Sequence, residues 1–192
     1  QAPSEHLVTS LDSDFTYIHA GLPFDPVPAE KFYAGYDAGW CGIIRNYDFA
    51  RKIGEDMLYA TLDDTQNTAT LRFALLQGQA GAGKTIALRR AAFNAATALE
   101  QLVLWLAEDG EPRADVLEEL YSLTGLRILL FVDHVSLHVE ALERMLYTLR
   151  ARNVPITVIA SEREAEWNTY CRGLDEVFTP TIYTLRLLSK RE

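Results

Sequence analysis

From about residue 70 onward, short apolar runs alternate with longer segments whose apolar side chains have helical spacing. The runs with the length and composition of buried strands are residues 71–76, 102–106, 126–132, 155–160 and 181–185. The segments with helical spacing are residues 84–99, 114–123, 137–150 and 161–171. This alternation predicts an α/β domain in which crossover helices join the strands of a parallel sheet.

The first fifty or so residues do not alternate in this way. Three prolines, at positions 23, 26 and 28, deny this stretch a regular helix or a central strand, so residues 1–30 are predicted to form an extended arm. Residues 45–62 predict a helix that is broken at Gly54. The chain therefore divides into an N-terminal arm with a helical segment, residues 1–52, and a core, residues 53–192.

The composition fits one globular domain, because 48% of the 192 residues are apolar and 23% are charged. Eighteen Lys and Arg against 27 Asp and Glu give a formal net charge of −9. A surface of that sign repels phosphate backbones, so we expect no direct nucleic-acid binding. Cys41 and Cys171 lie outside any metal-ligand spacing, which argues against a disulfide scaffold or a zinc site and predicts a reducing, intracellular compartment.

No segment of the sequence has the length of a membrane span. The longest apolar stretches, residues 102–107 and 128–132, fall far short of the ~20 residues that a span needs. The sequence begins at Gln1 and has no charged-then-apolar leader, so we interpret it as a fragment of a longer protein.

Residues 78–85 read Gly-Gln-Ala-Gly-Ala-Gly-Lys-Thr and match the pattern G-x-x-x-x-G-K-[ST] in full. A nest of backbone N–H groups at the start of a helix binds phosphate, and small residues such as Gly81 and Gly83 let the loop wrap closely enough. Lys84 is predicted to contact the β- and γ-phosphates, and Thr85 to ligate Mg²⁺. The predicted ATP- or ADP-binding residues are Gly78, Ala80, Gly81, Ala82, Gly83, Lys84, Thr85 and Ile86.

A second polar group follows the apolar run that ends at Val132. Asp133 is predicted to bind Mg²⁺ through its water shell, and the alternative is an ordinary turn or helix-capping acid. A strand, residues 102–106, lies between the phosphate loop and this acid in the sequence. That insertion resembles the ATPase branch of P-loop folds, which includes AAA+, RecA-like and STAND proteins, and counts against nucleoside kinases and GTPases.

A third group follows the strand predicted for residues 155–160. Arg163 is predicted to reach the γ-phosphate and so to distinguish ATP from ADP. The alternative places Arg163 merely in the first turn of a helix that a Ser161–Glu164 capping box opens, and the two interpretations are compatible.

Together these motifs resemble a STAND-type signalling NTPase, an NB-ARC-like module of the kind found in bacterial anti-phage defence proteins with sirtuin-like or nuclease effectors. The matching segments are the phosphate loop, the strand ending in Asp133, Ser161-Glu162-Arg163, the Phe32-Tyr33-x-Gly35 motif and the tail of residues 183–192. The resemblance implies a three-layer P-loop NTPase core with a five-stranded parallel sheet behind an irregular or helical N-terminal arm. It also implies ATP and Mg²⁺, effector and sensor domains in the same full-length chain, a homo-oligomer on activation, and a cytoplasmic location.

One departure from that pattern concerns the catalytic base. Many members of the family have a second acid after the metal-binding aspartate, whereas this chain has His134. Without a general base the chemical step loses ~10²–10⁴-fold, so we predict slow hydrolysis, as in a regulatory switch. Glu108, after the second strand, is the candidate replacement, and its alternative is a solvated loop acid.

Other polar and aromatic groups have plainer interpretations. His134 and His138 have no third metal ligand, and Arg89 with Arg90 is interpreted as a solvated helix face, an inter-subunit arginine finger being the alternative. The aromatic group of residues 32–40 is interpreted as packing rather than as a platform for adenine. The functional alternatives to a switch are an AAA+-like or RecA-like motor acting on nucleic acid or protein, and a scaffold with a vestigial loop.

Overall fold

The computed structural model describes residues 2–63 and 69–187. Within those residues the strands are β1 Phe15–Tyr17, β2 Leu71–Gly78, β3 Leu102–Leu106, β4 Ile128–Val132, β5 Ile156–Glu162 and β6 Thr181–Leu185. The α-helices there are α1 Glu5–Ser13, α2 Ala29–Tyr33, α3 Gly39–Ile44, α4 Lys52–Leu62, α5 Lys84–Thr97, α6 Ala114–Thr124, α7 Val139–Ala151, α8 Glu164–Tyr170 and α9 Arg172–Phe178. A turn of 3₁₀ helix, Val135–Leu137, precedes α7.

The strands form one sheet in the order β1-β3-β4-β5-β2-β6. Strands β2 to β6 are parallel to one another. Strand β1 lies at the edge of the sheet and pairs antiparallel with β3. Every residue of β4 and β5 is buried, as expected for parallel strands that are covered on both faces. The predicted five-stranded parallel sheet is therefore confirmed, and β1 adds a sixth strand to it.

Helices cover both faces of this sheet and produce two hydrophobic cores. Helices α1, α6, α7, α8 and α9 contribute to the core on one face, and α4 and α5 contribute to the other. Alternation along β2 supplies both cores, since Phe73 and Leu75 point to one and Ala74 and Leu76 to the other. The three-layer α/β architecture expected from the sequence is confirmed.

The prediction of an extended arm over residues 1–30 is wrong in its first half. Ser4 caps α1 by accepting a hydrogen bond from the backbone N–H of Leu7, and Leu7 is buried. The main-chain N–H and the hydroxyl of Ser4 both donate to the Glu119 carboxylate, at 2.7 Å each, which ties α1 to α6. Helix α1 and strand β1 both end before Pro23, so the three prolines at positions 23, 26 and 28 predicted the structure of only the second half of this stretch.

Gly54 does not break a helix as predicted. It lies in the first turn of α4, which begins at Lys52 and not at residue 45. Gly54 is buried against α5, and a Cβ atom at this position would lie 3.6 Å from the carbonyl oxygen of Ala87, an ordinary contact distance. The glycine therefore lies within a packed helix.

The chain after β5 also differs from expectation. β5 continues through Ser161 and Glu162, and Arg163 stands at the N-cap of α8 without a side-chain capping bond. The predicted Ser161–Glu164 capping box is therefore wrong. A separate helix, α9, follows Cys171, in a segment for which no element was predicted. The predicted strand 181–185 and the helix end at Gly125, whose φ is +66°, are confirmed.

Both cysteines are free thiols in the core. Burial, with a smaller contribution from Glu162, raises the pKa of the Cys171 thiol to about 12, so this side chain packs as an apolar group. No helix among residues 2–63 and 69–187 is long and apolar enough to cross a membrane.

Candidate functional site

The phosphate loop joins the end of β2 to the start of α5, as its sequence requires. Gly81 and Gly83 have φ values of +75° and +87°, a backbone conformation that side chains with a Cβ rarely adopt. A Cβ atom on Gly78 would lie 2.7 Å from the carbonyl oxygen of Leu185, so β6 can pair beside the loop only because this residue is glycine. The loop's shape therefore depends on three glycines, of which the pattern specifies Gly78 and Gly83.

The predicted nucleotide-binding residues occupy the loop and the first turn of α5. Gln79 and Ala80 are exposed at its start, Ala82 is buried, and Thr85 and Ile86 are half-buried. Lys84 is only 7% exposed, and its Nζ donates to the carbonyl oxygen of Gln79 at 3.0 Å. The lysine thus folds back over the loop, as a cation that faces bound phosphate must.

Burial is the main influence on Lys84, and it lowers the pKa of the ammonium below its ordinary value. The positive charge of Arg163 lowers this pKa further, whereas Asp133, Glu162 and Glu166 raise it. Four charged groups, from the end of β4, the end of β5 and the start of α8, therefore act on the lysine of the phosphate loop. The sheet order explains this, because β5 lies between β2 and β4.

Asp133 follows β4 directly, and its side chain is 12% exposed. Its Oδ1 accepts hydrogen bonds from the Ser161 hydroxyl and, at 3.1 Å, from the backbone N–H of His134. His134 has a left-handed φ of +51°, and its Nε2 lies 3.7 Å from Oδ2 of Asp133. Asp133 is therefore held from two sides, and the imidazole stands in the position where a second acid was expected.

The side chains suit a magnesium ion of the kind that P-loop proteins bind. Among the described residues no group of three or more His, Cys, Asp and Glu side chains is arranged to hold a metal ion. Mg²⁺ needs no such cluster, because it takes one or two protein oxygens and completes its octahedron with phosphates and water. The Thr85 hydroxyl and the Asp133 carboxylate, beside a helix N-terminus shaped for phosphate, are a donor set of this kind.

Glu162 is a buried acid in the site that the sequence did not single out. It is 1% exposed, and each of its oxygens accepts a backbone N–H at 2.8 Å: Oε2 from Ser136 and Oε1 from Arg163. It therefore links the turn after β4 to the start of α8. The signal that could have revealed it was a charged residue directly after a strand of buried character, which the capping-box interpretation assigned to a helix end instead.

Arg163 lies beside the phosphate loop. Its side chain is 51% exposed, and its Nη1 donates to Oε1 of Glu166 at 3.2 Å. An open depression of about 510 Å³, which we call the α8 cleft, is lined by Gly78, Gln79, Ala80, Arg163, Glu164, Ala165, Glu166 and Asn168. The structure thus brings Arg163 and the start of the loop to one cavity.

Glu108 lies elsewhere on the same sheet edge. It is exposed after β3, and the group on which its charge acts is His138, whose pKa burial lowers and Glu108 and Asp109 raise. It is not among the charges that shift the pKa of Lys84. A catalytic role for Glu108 stays a prediction.

The arginines of α5 are not a solvated face. Arg89 and Arg90 are 16% and 15% exposed. Arg89 pairs with Asp37 at 2.7 Å and lies over the rings of Trp40 and Trp105, while Arg90 pairs with Asp48. Trp40 and Trp105 pack edge to face, with centroids 5.2 Å apart, so this part of the aromatic group does pack on the core.

A family model described as novel STAND NTPase 5 matches residues 30–175. No curated protein matches the chain.

Solved structures resemble the fold: C. elegans PCH-2 is 14% identical at a TM-score of 0.50, over 77% of this chain and 46% of that one. AMPPCP-bound DnaA from Aquifex aeolicus is 16% identical at a TM-score of 0.46, over 78% of this chain and 51% of that one. Thermotoga maritima RuvB, described as a Holliday junction branch migration motor, is 21% identical at a TM-score of 0.45, over 74% and 46%. The chain therefore spans about half the length of the structures that it resembles.

Proposed function

The chain belongs to the novel STAND NTPase 5 family, and from that premise we propose that it is the ATP-binding switch module of a larger signalling protein. Residues 78–86 bind the nucleotide phosphates, Thr85 and Asp133 hold Mg²⁺, and Arg163 distinguishes ATP from ADP. The observation that carries the proposal is that Arg163 lines the α8 cleft together with the start of the phosphate loop, and that its charge acts on Lys84 of that loop.

Hydrolysis in this proposal is slow. When bound, Mg²⁺ supplies positive charge to the phosphates, and the protein must still provide a group that takes a proton from water. Many members of the family have a second acid in the position for this role, and this chain has His134 there instead. Slow hydrolysis keeps the bound state populated, which suits a switch better than a motor.

The remaining parts of the proposal concern the whole protein. We propose that effector and sensor domains in the same full-length chain respond to the bound nucleotide, that the response includes homo-oligomerisation, and that the protein acts in cytoplasmic defence. The resemblance to STAND modules of anti-phage proteins supports these parts. The net charge of −9 supports the further proposal that the partners of this chain are not nucleic acids.

Calorimetric titration with Mg-ATP tests the core of the proposal. A charge-assisted hydrogen bond contributes ~1.5–3 kcal/mol, so Lys84→Ala should weaken ATP binding roughly 10- to 150-fold. Lys52→Ala is the matched control, because Lys52 is exposed at the start of α4. An unchanged dissociation constant for Lys84→Ala would refute the role of the lysine, and no heat from the unmodified protein would refute nucleotide binding.

A further inference from the structure

The pair between Arg163 and Glu166 is a polar contact inside the α8 cleft that the proposed function does not use. Nη1 of Arg163 lies 3.2 Å from Oε1 of Glu166, three residues along the chain. The two side chains are 51% and 30% exposed, so water screens their attraction. The guanidinium is therefore held by a weak pair that a stronger anion can displace.

The carboxylate of Glu166 is only half satisfied by this pair. Its Oε2 is buried and has no hydrogen-bond partner among the described residues. The charge of Glu166 also reaches Lys84, because it is one of the acids that raise the pKa of that lysine. Glu166 thus places one negative charge within range of both cations that are proposed to bind the phosphates.

The other acids near the cleft are held differently. Both oxygens of Glu162 accept hydrogen bonds from backbone N–H groups, and this residue is 1% exposed, so its carboxylate is fixed in place by the backbone. Glu164 is exposed on the first turn of α8 and lines the same cleft. Glu166 combines a bond to Arg163 with an unpaired oxygen.

We propose that Glu166 occupies Arg163 in place of the γ-phosphate and so sets how strongly this site prefers ATP to ADP. This inference rests on the proposed ATP site. ATP must displace the carboxylate from Arg163, whereas ADP has no γ-phosphate and leaves the pair intact. Glu166 is therefore a specificity-determining residue that acts through Arg163 and weakens ATP binding selectively.

Titrations of the protein with Mg-ATP and with Mg-ADP measure this effect. Glu166→Gln keeps the shape of the side chain and removes the charge. Because the exposed ion pair with Arg163 no longer has to be broken, the affinity for ATP should rise about 2- to 5-fold. The affinity for ADP should change by less than about 2-fold, since ADP does not compete for Arg163.

Two further variants decide whether the effect passes through Arg163. Arg163→Ala should remove the preference for ATP, and adding Glu166→Gln to it should change nothing more. Glu164→Gln removes the same charge from the same cleft and should leave the ATP-to-ADP ratio unchanged.

The inference is overturned if Glu166→Gln tightens ATP and ADP equally, if the effect persists in the Arg163→Ala protein, or if Glu164→Gln reproduces it. A loss of phosphate release with an unchanged affinity ratio also overturns it, since Glu166 then acts in the chemistry. If the unmodified protein binds neither nucleotide, the proposed function itself fails, and that result is distinct from the others.

Discussion

Ser161 and Glu162 are polar side chains at the end of a strand that is otherwise apolar, and each bonds the segment that follows β4. The Ser161 hydroxyl donates to Asp133, and the Glu162 carboxylate accepts from the backbone of Ser136. Both residues are buried, so their hydrogen bonds offset the cost of removing polar groups from water. The orientation of the proposed metal-binding acid therefore depends on a neighbouring strand.

Ser161→Ala tests this dependence. A hydrogen bond to a charged group contributes ~1.5–3 kcal/mol, and we expect the free energy of unfolding to fall by that amount. Urea denaturation measures it as a lower midpoint with an unchanged slope. Ser122→Ala is the control, because the Ser122 hydroxyl is exposed and donates to a carbonyl oxygen within its own helix. Equal midpoints for the two variants would show that Asp133 does not need the serine.

At the scale of elements, α5 connects the phosphate loop to the N-terminal part of the chain. Arg90, on this helix, donates through Nη2 to the carbonyl oxygen of Ile43 at 2.6 Å and to Oδ1 of Asn46 at 3.1 Å, and through Nε to Asp48 at 2.9 Å. The Asp48 side chain is 1% exposed. The turn after α3 is thus fastened to the helix that begins at Lys84.

We expect Arg90→Ala to destabilise the protein strongly. Removing one partner of a buried ion pair leaves an uncompensated charge, which costs about 3–5 kcal/mol of unfolding free energy. Arg89→Ala is the comparison on the same helix and should cost less, because its partner Asp37 is 69% exposed. Chemical denaturation measures both variants.

The double variant Arg90→Met with Asp48→Leu adds a second check on this pair. Because apolar side chains need no charged partner, we expect it to recover most of the lost stability. If Arg90→Ala lowers the free energy of unfolding by less than about 1 kcal/mol, the buried ion pair with Asp48 does not stabilise the protein as proposed.

The same elements show what a single sequence reveals. The parallel strands were predictable, because a continuous apolar run of five to eight residues such as β4 reports burial on both faces by itself. The phosphate loop was predictable because glycine readily adopts the positive φ values that this loop requires. In both cases the physical cause lies within a few consecutive residues.

What could not be predicted depends on partners that are distant in sequence. The end of β5 was misplaced because Ser161 is satisfied by Asp133, 28 positions away, and nothing local distinguishes this from a capping serine. Arg90 was assigned to solvent because Asp48 lies 42 positions from it. Strand β1 has only three residues and is a strand because it pairs with β3.

At the scale of the whole molecule, the strand order brings the parts of the candidate site to one end of the sheet. β5 lies between β2 and β4, so residues after β2 and β5 line the α8 cleft, and Asp133 after β4 is near enough for its charge to act on Lys84. Lys84 and Arg163 place two cations at this point of a chain whose net charge is −9. A nucleotide can bind at such a point, whereas a polynucleotide would meet repulsion along the rest of the surface.

The net charge and His134 together predict how this chain turns over ATP. We expect slow release of phosphate from ATP that duplex DNA does not stimulate at low or physiological salt, since few counterions would be released. A phosphate-release assay with and without DNA measures both quantities.

His134→Glu restores an acid beside Asp133 and should raise turnover about 10- to 100-fold, despite a left-handed φ of +51°. His134→Asn, which tolerates that φ without supplying a base, should leave turnover low. Rapid, DNA-stimulated turnover by the unmodified protein would instead identify a motor, because a switch must hold its nucleotide between signals.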